Sequence, residues 1–306
     1  MKSKKTTIFL SLVLISTWFL AFKVPSAISS LSTVMGPIMD DLYFKIIEDP
    51  YARVDAWKAG EIDIVALPEI GMVAELQGDP YYGFLYTVPT WFWDYYDWNV
   101  GGWKLYPDKH GYPLNDTHFR RATAYLTDIE NLIATDPWFK GFAKRDLGSW
   151  LPEQFGIWHN PHCKEYPTDW DAALAEMEAG GFTYVLKPGY TEPVPGGIDH
   201  WLDPQGNPLR SFEMVTTTKW LYYTHMADAW MTKLQEFGLD VTPVYLDWGP
   251  YQEKVWYNHD YDFHVLGTCW SSGNPIIMNL YFRSDSWCNW RLWNDTEADR
   301  LIDTYS

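Results

Sequence analysis

Residues 91–99 read WFWDYYDWN, an aromatic run with strand propensity. Aromatic faces stack on flat solutes and supply apolar walls. In an extended strand, Trp91, Trp93 and Tyr95 share one face, and Phe92, Asp94, Tyr96 and Trp98 the other. Either set suits a cleft wall, and either suits a core. A second constellation is Trp270 with Ser271, Ser272 and Asn274, a flat ring beside small hydrogen-bonding groups. That combination suits a sugar or other neutral solute at least as well as a peptide. The same residues also make an ordinary glycine-containing loop.

Other reactive residue types lack the spacing that chemistry needs. His159, His162 and Cys163 lie close together, but Pro161 breaks any helix there and no second ligand pair follows at a zinc-site spacing. They read as a polar loop, with no metal. Asp199, His200 and Asp203 read as a solvated cluster in a loop rich in Pro and Gly at 188–208. Glycoside hydrolysis needs paired carboxylates across a cleft. With 40 acids in the chain some approach each other by chance, so Asp94 and Asp97 carry no weight for it. There is no G-x-S-x-G, H-E-x-x-H or P-loop. The residues point to binding rather than catalysis, without a cofactor.

The 306 residues are 47% hydrophobic, enough for a large core and too much for a disordered chain. A net charge of −17, from 23 basic and 40 acidic residues, excludes a nucleic-acid binder. The 19 Trp, 21 Tyr and 15 Phe must pack in a Trp-rich core or line a surface that stacks on something. Lys2, Lys4 and Lys5 precede an apolar run at residues 6–22, and Ala27 and Ser29 offer a small-residue cleavage site. This is the form of an export signal, cleaved or kept as an anchor through residues 6–22. Of the three cysteines, Cys269 and Cys288 could pair across a short loop; isolated thiols are the simpler reading.

The elements that must position these residues alternate. Helices are expected near 51–59, 117–133, 169–179, 225–237, 248–257 and 295–304, from apolar stripes at helical spacing opened by caps or closed by Gly. Strands are expected near 43–48, 62–66, 84–99, 211–217, 241–246 and 261–266. Helix, glycine, then strand recurs, which predicts α/β crossovers on a mixed sheet.

In order, several segments resemble the family 5 extracellular solute-binding proteins of ABC importers, the oligopeptide- and dipeptide-binding type. They are YFKIIED at 43–49 with RVDAWKAGEIDI at 53–64, PLNDTHFRRA at 113–122, and WDAALAEMEAGGFT at 170–183. LDPQGNPL at 202–209 and YDFHVLG at 261–267 with Trp270 complete the set. The resemblance implies a type II periplasmic-binding-protein-like α/β fold, here a partial first lobe at 31–102 and most of the second at 103–306 after a signal segment at 1–30. Relative to the family the chain is shortened at both ends. The resemblance places Trp270, Ser271, Ser272 and Asn274 in the solute cleft, with Trp91 or Trp93 contributing from a first-lobe strand. Members often carry an Asp just after that Trp to meet a peptide's ammonium; here the stretch WSSGNP has no acid. The implied partners are a peptide or oligosaccharide solute and ABC permease subunits. Two other classes fit the same residues: a secreted carbohydrate-active enzyme or carbohydrate-binding module, and a degenerate fragment that binds nothing.

Overall fold

A computed structural model describes residues 41–65, 76, 92–146, 150–151, 153–269 and 278–305. The chain divides into two compact units, Met1–Val65 and Ala66–Ser306. The apolar run at 6–22 and the residues around Ala27 and Ser29 lie outside the described residues. Among the described residues no helix is long and apolar enough to cross a membrane.

In the first unit, α1 (Pro50–Lys58) starts at a Pro and is capped by Asp49, whose Oδ1 accepts from Ala52 N at 2.7 Å. The strands expected at 43–48 and over 62–65 are not formed; both stretches are irregular. The physical reason is exposure. Tyr43, Phe44, Ile46 and Ile64 are 85–89% exposed, and an alternating pattern makes a strand only where a partner covers its apolar face.

The second unit is built on a four-stranded sheet in the order β1 (Phe92–Trp98), β6 (Phe263–Cys269), β4 (Phe212–Thr217), β5 (Val241–Leu246). β4 runs parallel to β5 and β6, and β1 is antiparallel to β6, from Phe92 opposite Cys269 to Trp98 opposite Phe263. β1 thus shares a sheet with strands from beyond residue 103. β4 has neighbours on both edges, and Phe212, Met214, Val215, Thr216 and Thr217 are buried. Between β4 and β5 runs α5 (Leu221–Glu236), which buries Tyr223, Met226, Ala227, Trp230 and Leu234 along one stripe. It begins four residues before the expected start. After β5 come α6 (Trp248–Gln252) and a π turn (Glu253–Tyr257), matching the expected helix at 248–257.

The helix expected at 117–133 is two: α2 (Thr117–Ala124) and α3 (Ile129–Thr135). Asp128 between them sits at φ 52, which ends a helix and which Asp tolerates better than most residues. α4 (Trp170–Ala179) lies as expected, capped by Asp169. It leads into a hairpin of β2 (Thr183–Leu186) and β3 (Ile198–Leu202). This corrects the loop expected at 188–208: Asp199 and His200 lie in a strand whose Ile198 and Trp201 are fully buried. Gly238 (φ +82) is needed against β3, because a Cβ there would come within 2.5 Å of Ile198 Cγ2. The chain closes with α7 (Met278–Phe282) and α8 (Thr296–Tyr305).

Candidate functional site

Parallel strands in an α/β sheet release their chains at one end, and that end is where side chains from several loops converge. Here β4 leads to Trp220, β5 to Trp248, and β6 carries Leu266, Gly267 and Thr268 to the same place. They line a cavity of about 360 Å³. Tyr222 and Tyr223 from the start of α5, Trp256 from the π turn, Leu280 and Tyr281 from α7, and Trp287, Cys288 and Trp290 complete it. None of these residues is charged.

The walls are braced ring against ring. Trp220 and Trp248 meet edge to face at 5.1 Å, as do Trp248 and Trp256 at 5.0 Å. Trp256 stacks on Trp290 at 5.1 Å with 11° between planes, and Tyr281 meets Trp290 edge-on at 5.6 Å. Such contacts fix ring orientation, which a pocket needs if it is to be preformed. Thr268 Oγ1 and the Tyr281 hydroxyl share a 2.6 Å hydrogen bond. Lys219 lies over Trp220 and Trp248, 4.6 and 5.3 Å from the ring centres. Cys288 is a buried free thiol, not half of a disulfide, and burial pushes its pKa up to about 11.

Behind this wall lies a buried ionic knot. The Arg291 guanidinium donates to both oxygens of Asp97, at 2.9 and 2.9 Å from Nε and 2.6 Å from Nη2. His264 Nε2 approaches Asp97 Oδ2 at 3.3 Å, and the Tyr251 hydroxyl meets His264 Nδ1 at 2.8 Å. Burial raises the Asp97 pKa, but the charge of Arg291 and the His264 hydrogen bond outweigh it and hold the group at about 2. Burial lowers the pKa of His264 despite Asp97 beside it. A neutral ring with its hydrogen on Nε2 gives Asp97 a donor and leaves Nδ1 to accept from Tyr251.

Asp94 differs from Asp97. It is on the other face of β1, directly opposite Gly267, and its Oδ1 is buried with no hydrogen-bond partner among the described residues. Burial pushes its carboxyl up to about 7, against a hydrogen bond from Tyr223 that works the other way. An unfolded Asp titrates at about 3.9, so between those values the folded chain retains a proton that the unfolded chain has released. Stability therefore falls as pH rises through that window. Asp94→Asn is expected to flatten this fall and to exceed the wild type in stability at pH 8. Urea midpoints at pH 5 and pH 8 check it; an unchanged pH dependence in the variant would count against the assignment.

Of the residues singled out from sequence, Trp91, Trp270, Ser271, Ser272 and Asn274 lie outside the described residues. Trp93 is in β1 opposite Thr268, a wall residue. Phe92 and Cys269, the last paired residues of the two strands, are the chain neighbours of Trp91 and Trp270. The sequence reading missed Trp220, Trp248, Trp256 and Trp290. The available signal was a Trp two or three residues beyond the end of two of the parallel strands, at 220 after Thr217 and at 248 after Leu246. Among the described residues no three His, Cys, Asp or Glu side chains are grouped to hold a metal ion. His159 instead bonds to the Leu151 carbonyl at 2.7 Å.

Residues 36–289 match the family model of the bacterial extracellular solute-binding proteins, family 5, middle portion. The chain belongs to this family. No curated protein matches it. Among solved structures it resembles a periplasmic EDTA-binding protein, EppA, with TM-score 0.67 and 20% identity over 88% of this chain and 47% of that one. It resembles the mannohexaose-bound periplasmic oligopeptide-binding protein of Thermotoga maritima with TM-score 0.60 and 18% identity over 84% of this chain and 47% of that one. It also resembles the oligopeptide-binding protein AppA of Bacillus subtilis, solved with a nonapeptide, with TM-score 0.58 and 18% identity over 85% and 47%. The family 5 chain thus has the α/β fold of type II periplasmic binding proteins and spans about half the length of these structures.

Proposed function

We propose that this family 5 chain is the extracellular solute-binding component of an ABC importer, taking a peptide or another small solute such as an oligosaccharide. The observation that supports this best is the preformed, aromatic-walled cavity at the carboxyl ends of three parallel strands. Its uncharged lining offers rings to stack on and a few hydroxyls to orient a guest, and no pair of carboxylates for glycosidic hydrolysis. The solute is bound without being altered, then passed to permease subunits at the membrane. Export by the N-terminal segment at 1–30 is part of the same proposal, as is retention through residues 6–22 if the signal is not cleaved.

Trp270, Ser271, Ser272 and Asn274 extend the site from the end of β6, with Trp91 or Trp93 extending it from the start of β1. Trp270 stacks on the solute and the three polar residues hydrogen-bond to it. The test is a titration of the full chain with peptides and oligosaccharides, read by tryptophan fluorescence and thermal shift. Trp270→Ala is expected to weaken binding by roughly five- to tenfold, the size of one stacking contact, without lowering the melting temperature. An unaltered affinity removes Trp270 from the site. Silence of the whole panel at millimolar concentration overturns the receptor reading.

A further inference from the structure

Among the described residues Asp94 is a carboxylate without a counter-charge. In an antiparallel ladder directly opposite side chains share a face, and Asp94 stands opposite Gly267, which has none. Its Oδ1 is buried and has no hydrogen-bond partner among the described residues. The groups that face it are Tyr222 and Tyr223 from α5, with Tyr96 two residues along β1 and Asp128 beyond Tyr96. None is cationic. Arg291 is committed to Asp97 on the opposite face. From residue 59 to residue 103 the chain has no Lys, Arg or His but seven acids, and residues 265–282 carry no charge at all. No basic residue from these stretches serves Asp94.

The same carboxylate neighbours the cavity wall, since Gly267 opposite it and Tyr222 and Tyr223 beside it all line the cavity. A primary ammonium guest would want three hydrogen-bond acceptors. The wall's few hydroxyls are already engaged, Thr268 with Tyr281 and Tyr223 with Tyr222 and Asp94, and the rest is rings, aliphatic groups and a thiol. An ammonium whose hydrogens are replaced by alkyl groups wants aromatic faces, which line the cavity, and one negative charge nearby, which Asp94 carries next to the wall residues Gly267, Tyr222 and Tyr223. Lys219 lying over Trp220 and Trp248 shows that two of these rings already attract a cation from the outside. The net charge of −17 adds long-range attraction for a cationic solute.

We propose that the cavity binds an alkylated organic ammonium, with tryptophan and tyrosine rings around the cation and Asp94 as its counter-charge. This rests on the solute-binding reading and names its solute class. The probes are choline and its uncharged isostere 3,3-dimethyl-1-butanol, titrated calorimetrically into the full chain. At pH 8 choline is expected to bind about tenfold more tightly than the isostere. That preference should shrink at pH 5.5, where Asp94 is protonated, and choline binding near pH 7 should release protons, seen as a dependence of the heat on the buffer. Asp94→Asn, with its fold checked by circular dichroism, should bring the two affinities together while leaving that of the isostere unchanged. The wild-type measurements need no variant and decide the matter if Asp94→Asn does not fold. Equal affinities at pH 8, no choline binding, or a preference that survives in Asp94→Asn overturns the proposal. If an oligosaccharide or peptide binds while choline does not, the ammonium falls and the receptor reading stands; if no solute binds, both fall.

Discussion

Replacing Arg291 with methionine is expected to destabilise the chain by about 3–5 kcal/mol, the loss typical of removing one partner from a buried ion pair. Arg291 is 7% exposed and Asp97 5%, so the carboxylate left behind has no water to replace the guanidinium. His264 would remain, but burial keeps its ring short of protons, and one neutral donor at 3.3 Å does not replace three charged contacts. The loss also propagates. Arg291 holds the segment after α7 against β1 and lies over Trp150 and Phe282 at 5.4 and 5.3 Å. Trp290, its chain neighbour, is the ring that stacks on Trp256 in the cavity wall. Urea denaturation measures the effect, and the double variant Asp97→Asn with Arg291→Met should recover part of it, because no charge is then stranded. A single-variant loss below about 1 kcal/mol would show that the knot is solvated. The pH dependence has a definite sign. With the folded Asp97 pKa depressed to about 2, its stabilisation is present above the unfolded value of about 3.9 and is lost as pH falls between them.

How much of this was legible in the sequence depends on the range over which each feature is determined. α4 was legible because its signals are local: Asp169 caps it, Ala173 and Met177 form its buried stripe, and Gly180-Gly181 ends it. β5 was legible for the same reason, as a short β-prone run between a helix stop and a helix start, and β4 as a β-prone run that leads into a helix. β3 was hidden. The pattern IDHWL buries its first and fourth residues, not alternate ones, because the ladder with β2 shifts register beside it, and the surrounding prolines and glycines look like loop. The split between α2 and α3 was equally hidden, since an apolar stripe continues across Asp128 although the backbone does not.

The cavity of the described residues was not legible in the sequence. Aromatic content announced a stacking surface, and resemblance drew attention to Trp270. Trp270 lies outside the described residues, and the described cavity draws tryptophan rings from positions 220, 248, 256 and 290, which periodicity cannot relate. They meet because three parallel strands end together, a fact of sheet order rather than of local sequence. Asp94 and Asp97, indistinguishable in the run WFWDYYDWN, are separated only by which face of β1 each occupies. One face meets Arg291; the other meets a glycine.

Trp230 is the counterpart on the Asp94 face, and Trp230→Ala is expected to destabilise the chain by about 3–5 kcal/mol. It is fully buried and touches three other elements at once. From α5 its ring meets Tyr96 at 4.9 Å and Trp98 at 5.3 Å on β1, and Phe263 at 5.1 Å on β6, all edge to face. Its Nε1 donates to the Thr123 carbonyl of α2 at 3.0 Å. Truncation removes the largest side chain type from a site whose neighbours are themselves large and rigid, so the cavity cannot close by a small shift. Trp230→Phe separates the two contributions. It keeps a ring in the cluster but loses the indole N–H, leaving the Thr123 carbonyl without its buried donor, and should cost roughly 1–3 kcal/mol. Both values come from urea unfolding followed by far-UV circular dichroism, since the lost indole alters the fluorescence. Because Tyr96 and Asp94 share the same face of β1, the alanine variant should also lower the affinity for any solute that uses Asp94, while the phenylalanine variant should bind it normally. A Trp230→Ala chain within about 1 kcal/mol of wild type would mean that α5 does not depend on this ring to hold the sheet.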